Sequence, residues 1–327
     1  MIDKIIAFDL VSGDSGFDIT YQAAEDFLKN NKDYKILAFI DKKNYIPDKY
    51  NKKIEFIICK DKINQSDGPI QIKRKPDSTL VRSIEAVINK KANFVVTAAG
   101  SGPTVIAGYL FSKPIKKGLK PAFAPIALDK NGKKKIMLDV GANLDANSDV
   151  LISYAKMGSE YIKALGISSN PRIRLLNIGI EDFKGTELLK ETYNKLKKEK
   201  SLNFLGNMEA NEILSEKEDI VLCDAVSGNI ALKSYEGAFN LVYETIKKNA
   251  KSPFLKLKLA TSPKLIKDLR KIMNVDDVGG AIVLGINDLI IKSHGSSDYR
   301  YFINSLNVGK KLYENNLIEK IKKVLDE

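Results

Sequence analysis

The chain has 327 residues, 44% hydrophobic and 29% charged, with 53 Lys and Arg against 41 Asp and Glu for a net charge of +12. That composition is of a folded chain long enough to bury a large α/β core, and its two cysteines and one histidine exclude a Cys/His zinc site. No run is long and apolar enough to span a bilayer, and MIDKIIAFDL enters a strand pattern without a basic region, apolar run and cleavage site, so the expectation is a cytoplasmic protein.

Apolar β-branched runs and helical periodicity alternate along the chain. Ile5 to Phe8 reads as a buried strand ending in Asp9. The turn formers Val11 to Gly16 follow, with Asp14 or Ser15 placed to cap a helix over Tyr21 to Leu28. Strands are predicted at Tyr34 to Ile40 and Ile54 to Cys59, and Asp61 to Lys75 reads as polar and irregular. Asp77, Ser78 and Thr79 lead a helix that turns Val81, Ile84, Val87 and Ile88 inward. Phe94 to Ala98 is a strand running into the small-residue loop at Gly100, Ser101 and Gly102.

Pro121 to Leu128 and Ile136 to Val140 form a pair joined by an Asn-Gly turn. Asp139, Gly141 and Asn143 stand at the second strand's end, before a helix over Asp149 to Leu165. Ile173 to Ile178 is a strand, followed by a charged loop with Lys184 and Gly185, then a helix over Thr186 to Lys198. Ile220 to Cys223 is a fully apolar strand closed by Asp224. Ala225 to Asn229 reads as a turn with Asn229 as N-cap, leading a helix with Ala231, Tyr235, Phe239, Val242 and Ile246 on one face. Ala281 to Leu284 and Leu289 to Ile291 flank a turn before Ser293-His294-Gly295-Ser296-Ser297 and a C-terminal helical region.

Strands alternating with helices predict a three-layer α/β/α sandwich with a largely parallel sheet. With no linker or repeat, residues 1–327 form one unit, and a segment at 248–277 protrudes from it. Cys59 and Cys223 end apolar runs and read as buried free thiols. Ligands in such folds bind outside the carboxyl ends of strands, where the polar loops recur; glycine lets backbone approach a ligand closely, and Ser, Asn and free N–H groups at a helix start bind phosphate oxygens. No loop matches a Walker A or G-x-S-x-G pattern. His294 is either a hydrogen-bonded structural group or a neutral imidazole serving an oxyanion or a proton transfer. Lysines scatter among acids without a basic stripe interleaved with aromatics, which sets nucleic acid aside.

Taken together, LDVGAN (138–143), MGSEY (157–161), NPRIRLLNIG (170–179), KGTEL (184–188), FLGNMEA (204–210), CDAVSGNIALKSYEG (223–237), GGAIVLGIN (279–287) and HGSS (294–297) resemble, in order and over nearly the whole chain, the bacterial phosphate acyltransferases of phospholipid synthesis. The chain departs from that family's pattern in DLVSGD at Asp9 to Asp14, in TAAGSGP at Thr97 to Pro103 and in Ala225, where glycine is usual. The resemblance implies a fold like that of phosphotransacetylases and isopropylmalate-type dehydrogenases. It also implies a reaction in which inorganic phosphate attacks the thioester of a long-chain acyl-acyl carrier protein, giving acyl phosphate and free carrier protein, with no metal or cofactor. A phosphate acetyl- or butyryltransferase using acyl-CoA and a non-catalytic carrier-protein or membrane scaffold are the alternatives.

On this reading the catalytic candidates are His294, Asn229 and Lys233. Phosphate and substrate fall to Asp9, Gly100, Ser101, Gly102, Asp139, Asn143, Lys184, Ser227, Gly228 and Ser296, with Lys184 read equally as a solvated loop residue. The family also implies a homodimer. The segment SPFLKLKLATSPKLIKDLRKIM sets Leu257 and Leu259 among Lys256 and Lys258 and, after Ser262-Pro263, an apolar stripe beside Lys267 and Arg270. It is read as a protruding hairpin, either packed on the body or a second subunit, or meeting the carrier protein or the inner face of an anionic cell membrane.

Overall fold

The computed structural model describes residues 4–249, 279–294 and 298–326. Residues 250–278, and with them all of the predicted 248–277 hairpin but its first two residues, including Lys256, Leu257, Lys258, Leu259, Lys267 and Arg270, lie outside them, as do Gly295, Ser296 and Ser297.

The first half of the chain lays down β1 (Lys4–Asp9), α1 (Phe17–Asn30), β2 (Tyr34–Ile40), β3 (Ile54–Ile58), α2 (Pro69–Arg74), α3 (Thr79–Ile88), β4 (Phe94–Thr97), α4 (Ser101–Ala107) and β5 (Ala122–Ala124). The second half adds β6 (Ile126–Leu128), β7 (Lys134–Leu138), α5 (Ser148–Ala164), β8 (Arg172–Leu176), α6 (Glu187–Lys198), β9 (Asn203–Met208), β10 (Ile220–Leu222) and α7 (Ala225–Asn249). The chain then returns to the first half through β11 (Ala281–Leu284), β12 (Ile290–Lys292), α8 (Tyr299–Glu314) and α9 (Leu317–Asp326).

The strands form a seven-stranded sheet in the order β3-β2-β1-β4-β12-β11-β5 and a five-stranded sheet in the order β6-β7-β10-β8-β9. Pairing is parallel except where β11 meets β12 and β5, and where β6 meets β7. Pro125 separates β5 from β6 and divides the predicted hairpin arm between the sheets; the Met137 amide still donates to Pro125 O and Val140 to Phe123 O, joining the two sheets edge to edge. Successive side chains of a strand point to opposite faces. Ile6, Phe8, Ile136, Leu138, Ile220 and Leu222 accordingly enter one apolar layer, and Ala7, Val95, Met137 and Val221 the other. Both layers run under both sheets, which is the predicted three-layer α/β/α architecture.

Local readings differ at several places. No side chain caps α1, whose N-cap is Gly16 rather than Asp14 or Ser15. The polar stretch after β3 contains α2, started by Pro69 at its first turn. Ile88, at the last turn of α3, is 39% exposed instead of inward. The unpredicted β9 carries Gly206 at φ 101° where its pairing with β8 slips by a residue, so its sequence lacks strand alternation. Cys59 and Cys223 are buried free thiols, as predicted.

At the amino-terminal ends of the second sheet, charge is buried in closed pairs. Lys135, 1% exposed, is bonded to the Glu218 carboxylate and, at 2.8 Å, to Ser215 O. Asp219 accepts from Arg172 at 3.0 Å and Lys133 at 2.7 Å, and these donors outweigh burial and hold its carboxyl at about 2.

Candidate functional site

The carboxyl ends of β1, β4 and β12 are neighbours because the strands are parallel and in register: Ala7 pairs with Val95, and Thr97 with Lys292. Asp9, at the end of β1, is fully buried. It accepts from Thr97 Oγ1 at 2.9 Å and from the Ser12 amide at 3.2 Å, while burial raises its pKa. Its carboxylate therefore holds the β1 and β4 loops in shape. The Ser293 amide donates to Thr97 O at 2.7 Å, setting the start of the His294 loop against the end of β4. Gly100 is the N-cap of α4, Ser101 and Gly102 are its first residues, and no side chain caps that end.

In the second sheet Asp139 plays the part that Asp9 plays in the first. It is buried, and its oxygens accept from the amides of Phe123 (2.9 Å), Ala142 (3.1 Å) and Asn143 (2.8 Å). The bond from Phe123, the central residue of β5, ties the two sheets together at this rim. Asn143 is also buried, with its side-chain amide on Tyr154 Oη at 2.9 Å. Asp139 and Asn143 thus shape their loop.

Helix α7 begins earlier than predicted. Ala225 is its first residue, and Asn229 lies inside the helix, so Asn229 is not the N-cap. Asp224 caps the helix instead, its Oδ1 accepting from Val226 N at 3.1 Å and Ser227 N at 2.9 Å. The strand's polar tip folds onto the helix start, so these two amides serve the protein's own carboxylate rather than a ligand. The helix seats on the Asp139 loop: Asn229 Nδ2 donates to Val140 O at 3.1 Å, and Cys223 Sγ lies 3.1 Å from Asp139 O. Gly228 is needed for this seating, because a Cβ there would stand 2.2 Å from Asp139 O. Gly141, at φ 120°, leaves room for Asn229, whose amide a Cβ would approach to 2.6 Å.

The two flanks of α7 face different surroundings. On one, Lys233 and Glu236 form an exposed pair at 2.7 Å, and both act electrostatically on Lys292 and His294. Asp14, from the loop after β1, also acts on His294. The His294 imidazole is exposed yet crowded; desolvation first and the charge of Lys292 second lower its pKa, so the ring is neutral at pH 7 and above. The other flank borders a groove of about 530 Å³ whose walls include Leu176, Ile178, Ile213, Ile230 and Tyr235, with Ser227 at its edge.

The structure thus brings Asp14, Lys233, Glu236 and Lys292 into the electrostatic field of His294, keeps Asp9 and Gly100 to Gly102 at the neighbouring ends of β1 and β4, and turns Asn229 and Gly228 onto the Asp139 loop. Ser227 lies toward the groove. Lys184 stands apart, half-buried in the loop after β8 with Nζ 5.7 Å from the centre of the Phe183 ring. Sequence reading missed Lys292. It is the last residue of β12, it is 8% exposed, and burial lowers its pKa to about 8, with Lys233 adding to the effect. Its one sequence signal is a charge ending an apolar strand two residues before the sole histidine.

A family model described as "Fatty acid synthesis protein" matches residues 5–320. A protein of Staphylococcus aureus (strain bovine RF122 / ET3-1) named phosphate acyltransferase is 35% identical over 328 residues, covering 98% of each chain. A branched-chain phosphotransacylase from Enterococcus faecalis V583 superposes with a TM-score of 0.58 at 12% identity, covering 94% of this chain and 98% of the other. A 4-hydroxythreonine-4-phosphate dehydrogenase from Klebsiella pneumoniae gives a TM-score of 0.54 at 10% identity, covering 95% and 100%. These two likenesses concern the fold alone.

Proposed function

The chain belongs to the fatty acid synthesis protein family whose curated relatives are phosphate acyltransferases, and from that premise we propose that its substrates are a long-chain acyl-acyl carrier protein and inorganic phosphate, in the supply of acyl phosphate for phospholipid synthesis. The observation that carries this reading is the placement of an apolar groove on one flank of the start of α7 and of the charged neighbours of His294, Lys233 and Glu236, on the other. An acyl chain fits the first and phosphate the second, with the thioester carbonyl between them.

The chemistry asks little of the side chains. A phosphate oxygen attacks the carbonyl carbon, the tetrahedral oxyanion collapses, and the C–S bond breaks. The proton carried by the phosphate ends on the departing sulfur. Phosphate is already a nucleophile and a thiolate already a good leaving group, so catalysis rests on positioning and oxyanion stabilisation. Neutral His294 is suited to donate to the oxyanion or to relay that proton. Asn229 and Lys233 are assigned to the α7 wall, and the backbone of Gly100 to Gly102 to the phosphate side.

Purified protein mixed with acyl-acyl carrier protein and phosphate should yield a hydroxylamine-trappable acyl phosphate. Product from acetyl-CoA and none from acyl-carrier protein would overturn the substrate assignment. We assign residues 248–277 to peripheral contact with an anionic membrane and the protein to a homodimer. Vesicle flotation of a Leu257→Glu/Leu259→Glu variant and light scattering test these two assignments. No helix among the described residues is long and apolar enough to cross a membrane.

A further inference from the structure

Lys292 is built into the rim in a way that asks for an anion. Its side chain is buried at the end of β12, and among the described residues its ammonium makes no hydrogen bond and no ion pair. The one carboxylate among the described residues that acts on it, Glu236, is held by Lys233 at 2.7 Å. Lys233 adds a second positive charge to the same space. Holding a lysine this far out of water without a counter-charge is costly, and folded proteins ordinarily pair such a group. This chain does so at Lys135, with Glu218.

We propose that the Lys292 ammonium receives the phosphoryl group of the phosphate substrate and keeps it through to the acyl phosphate product. The inference rests on the phosphate acyltransferase reading and adds to it a specific cation. The burial of Lys292 favours a small dianion over a surface carboxylate of a protein partner, because a phosphate can reach an ammonium left 8% exposed whereas a folded partner cannot. Its place on the strand two residues ahead of His294 sets the phosphate beside the imidazole, where attack on a carbonyl held at α7 is in reach. A charged ammonium–phosphate contact is among the stronger hydrogen bonds a protein makes, and a strand end holds it more rigidly than a loop.

The test uses Lys292→Met, which keeps the length and apolar stem, and Lys292→Gln, which keeps a polar tip. In both, KM for phosphate should rise about ten- to a hundredfold, the range expected for losing one charged hydrogen bond, while KM for acyl-acyl carrier protein stays within twofold. Lys292→Arg should recover most of the phosphate affinity. Inorganic phosphate alone should raise the Tm of the wild-type protein, as any ligand of the folded state does, and should leave that of the Met and Gln variants unmoved. Folded Met and Gln variants with a wild-type KM for phosphate and a wild-type phosphate-dependent Tm overturn the inference while leaving the acyltransferase reading intact. A wild-type protein that makes no acyl phosphate, yet shows a phosphate-dependent Tm that vanishes in both variants, upholds the anion site and overturns the reading of the reaction.

Discussion

Two buried lysines sit at opposite ends of the sheets. Lys135, near the amino-terminal end of β7, is closed on Glu218 and Ser215 O. Lys292, at the carboxyl end of β12, is nearly as buried and, among the described residues, has no carboxylate on it. The same side chain in the same kind of strand is neutralised by the protein in one place and left for something else in the other. The difference follows the logic of the fold: the amino-terminal ends are where the chain closes its core, and the carboxyl ends are where an open α/β sheet meets ligands. Asp9 and Asp139 mark the transition. They lie at the carboxyl ends of their strands yet are saturated by backbone and hydroxyl donors, so they fix loop shape.

The largest effect is expected at the closed end. Glu218→Gln leaves Lys135 buried without its counter-charge, and breaking such a pair costs about 3–5 kcal/mol. Urea unfolding should report that loss, while KM for phosphate in the folded variant stays unchanged. Lys292→Met should do the reverse: without phosphate it should be as stable as wild type or more so, because it removes an unpaired charge. A Glu218→Gln protein of wild-type stability would remove the distinction between the two ends. Next in size is His294→Ala. Loss of an oxyanion-type donor lowers turnover about a hundred- to a thousandfold, and steady-state kinetics beside a thermal melt should show that drop with little change in Tm. Smaller again is Asp224→Ala, which uncaps α7 and should cost about 0.5–2 kcal/mol. Asp224→Asn should restore most of it, since the cap at Val226 N and Ser227 N needs only a side-chain oxygen.

Much of this is legible in the amino-acid sequence, and the reasons for what is not are specific. The uniform apolar runs at Ile5 to Phe8 and Ile220 to Cys223 announce buried strands because they must be apolar on both faces. Asp9, Asp139 and Asp224 announce strand ends because nothing else tolerates them there. The start of α7 was misplaced because Asn229 and Asp224 are both capable caps; the choice is made by the Asp139 loop, 85 residues upstream of Asp224, against which Gly228 and Asn229 must fit. Lys292 was invisible for a different reason. In a chain with 53 Lys and Arg, one more lysine at a strand end reads as solvated. Its burial is a tertiary fact, produced when β12 inserts beside β4 and the charges of Lys233 and Glu236 on α7 come into its field.

The finest test of the contrast is a proton count. Burial, with Lys233 as a same-sign neighbour, holds folded Lys292 near 8 against an ordinary lysine value of 10.5. A folded pKa below the unfolded one means that protonation disfavours the fold: the stability present above 10.5 is lost as pH falls through about 8. A phosphate on the ammonium reverses the sign, since it favours the charged form and draws the pKa back up. Binding should therefore take up a proton, about half a proton per phosphate at pH 8 and approaching one at pH 9, if the free group titrates near 8. The charged and titratable groups that share its field are Lys233 and Glu236 on α7 and His294 beyond its own strand. The lowered pKa of His294 leaves it neutral throughout that range. Calorimetry of phosphate binding in two buffers of different ionisation enthalpy measures the uptake directly. Lys292→Arg, charged at every pH in the window, should bind phosphate with no proton uptake. Equal uptake in the Arg variant would assign the titration to another group and leave Lys292 a buried lysine of no special kind.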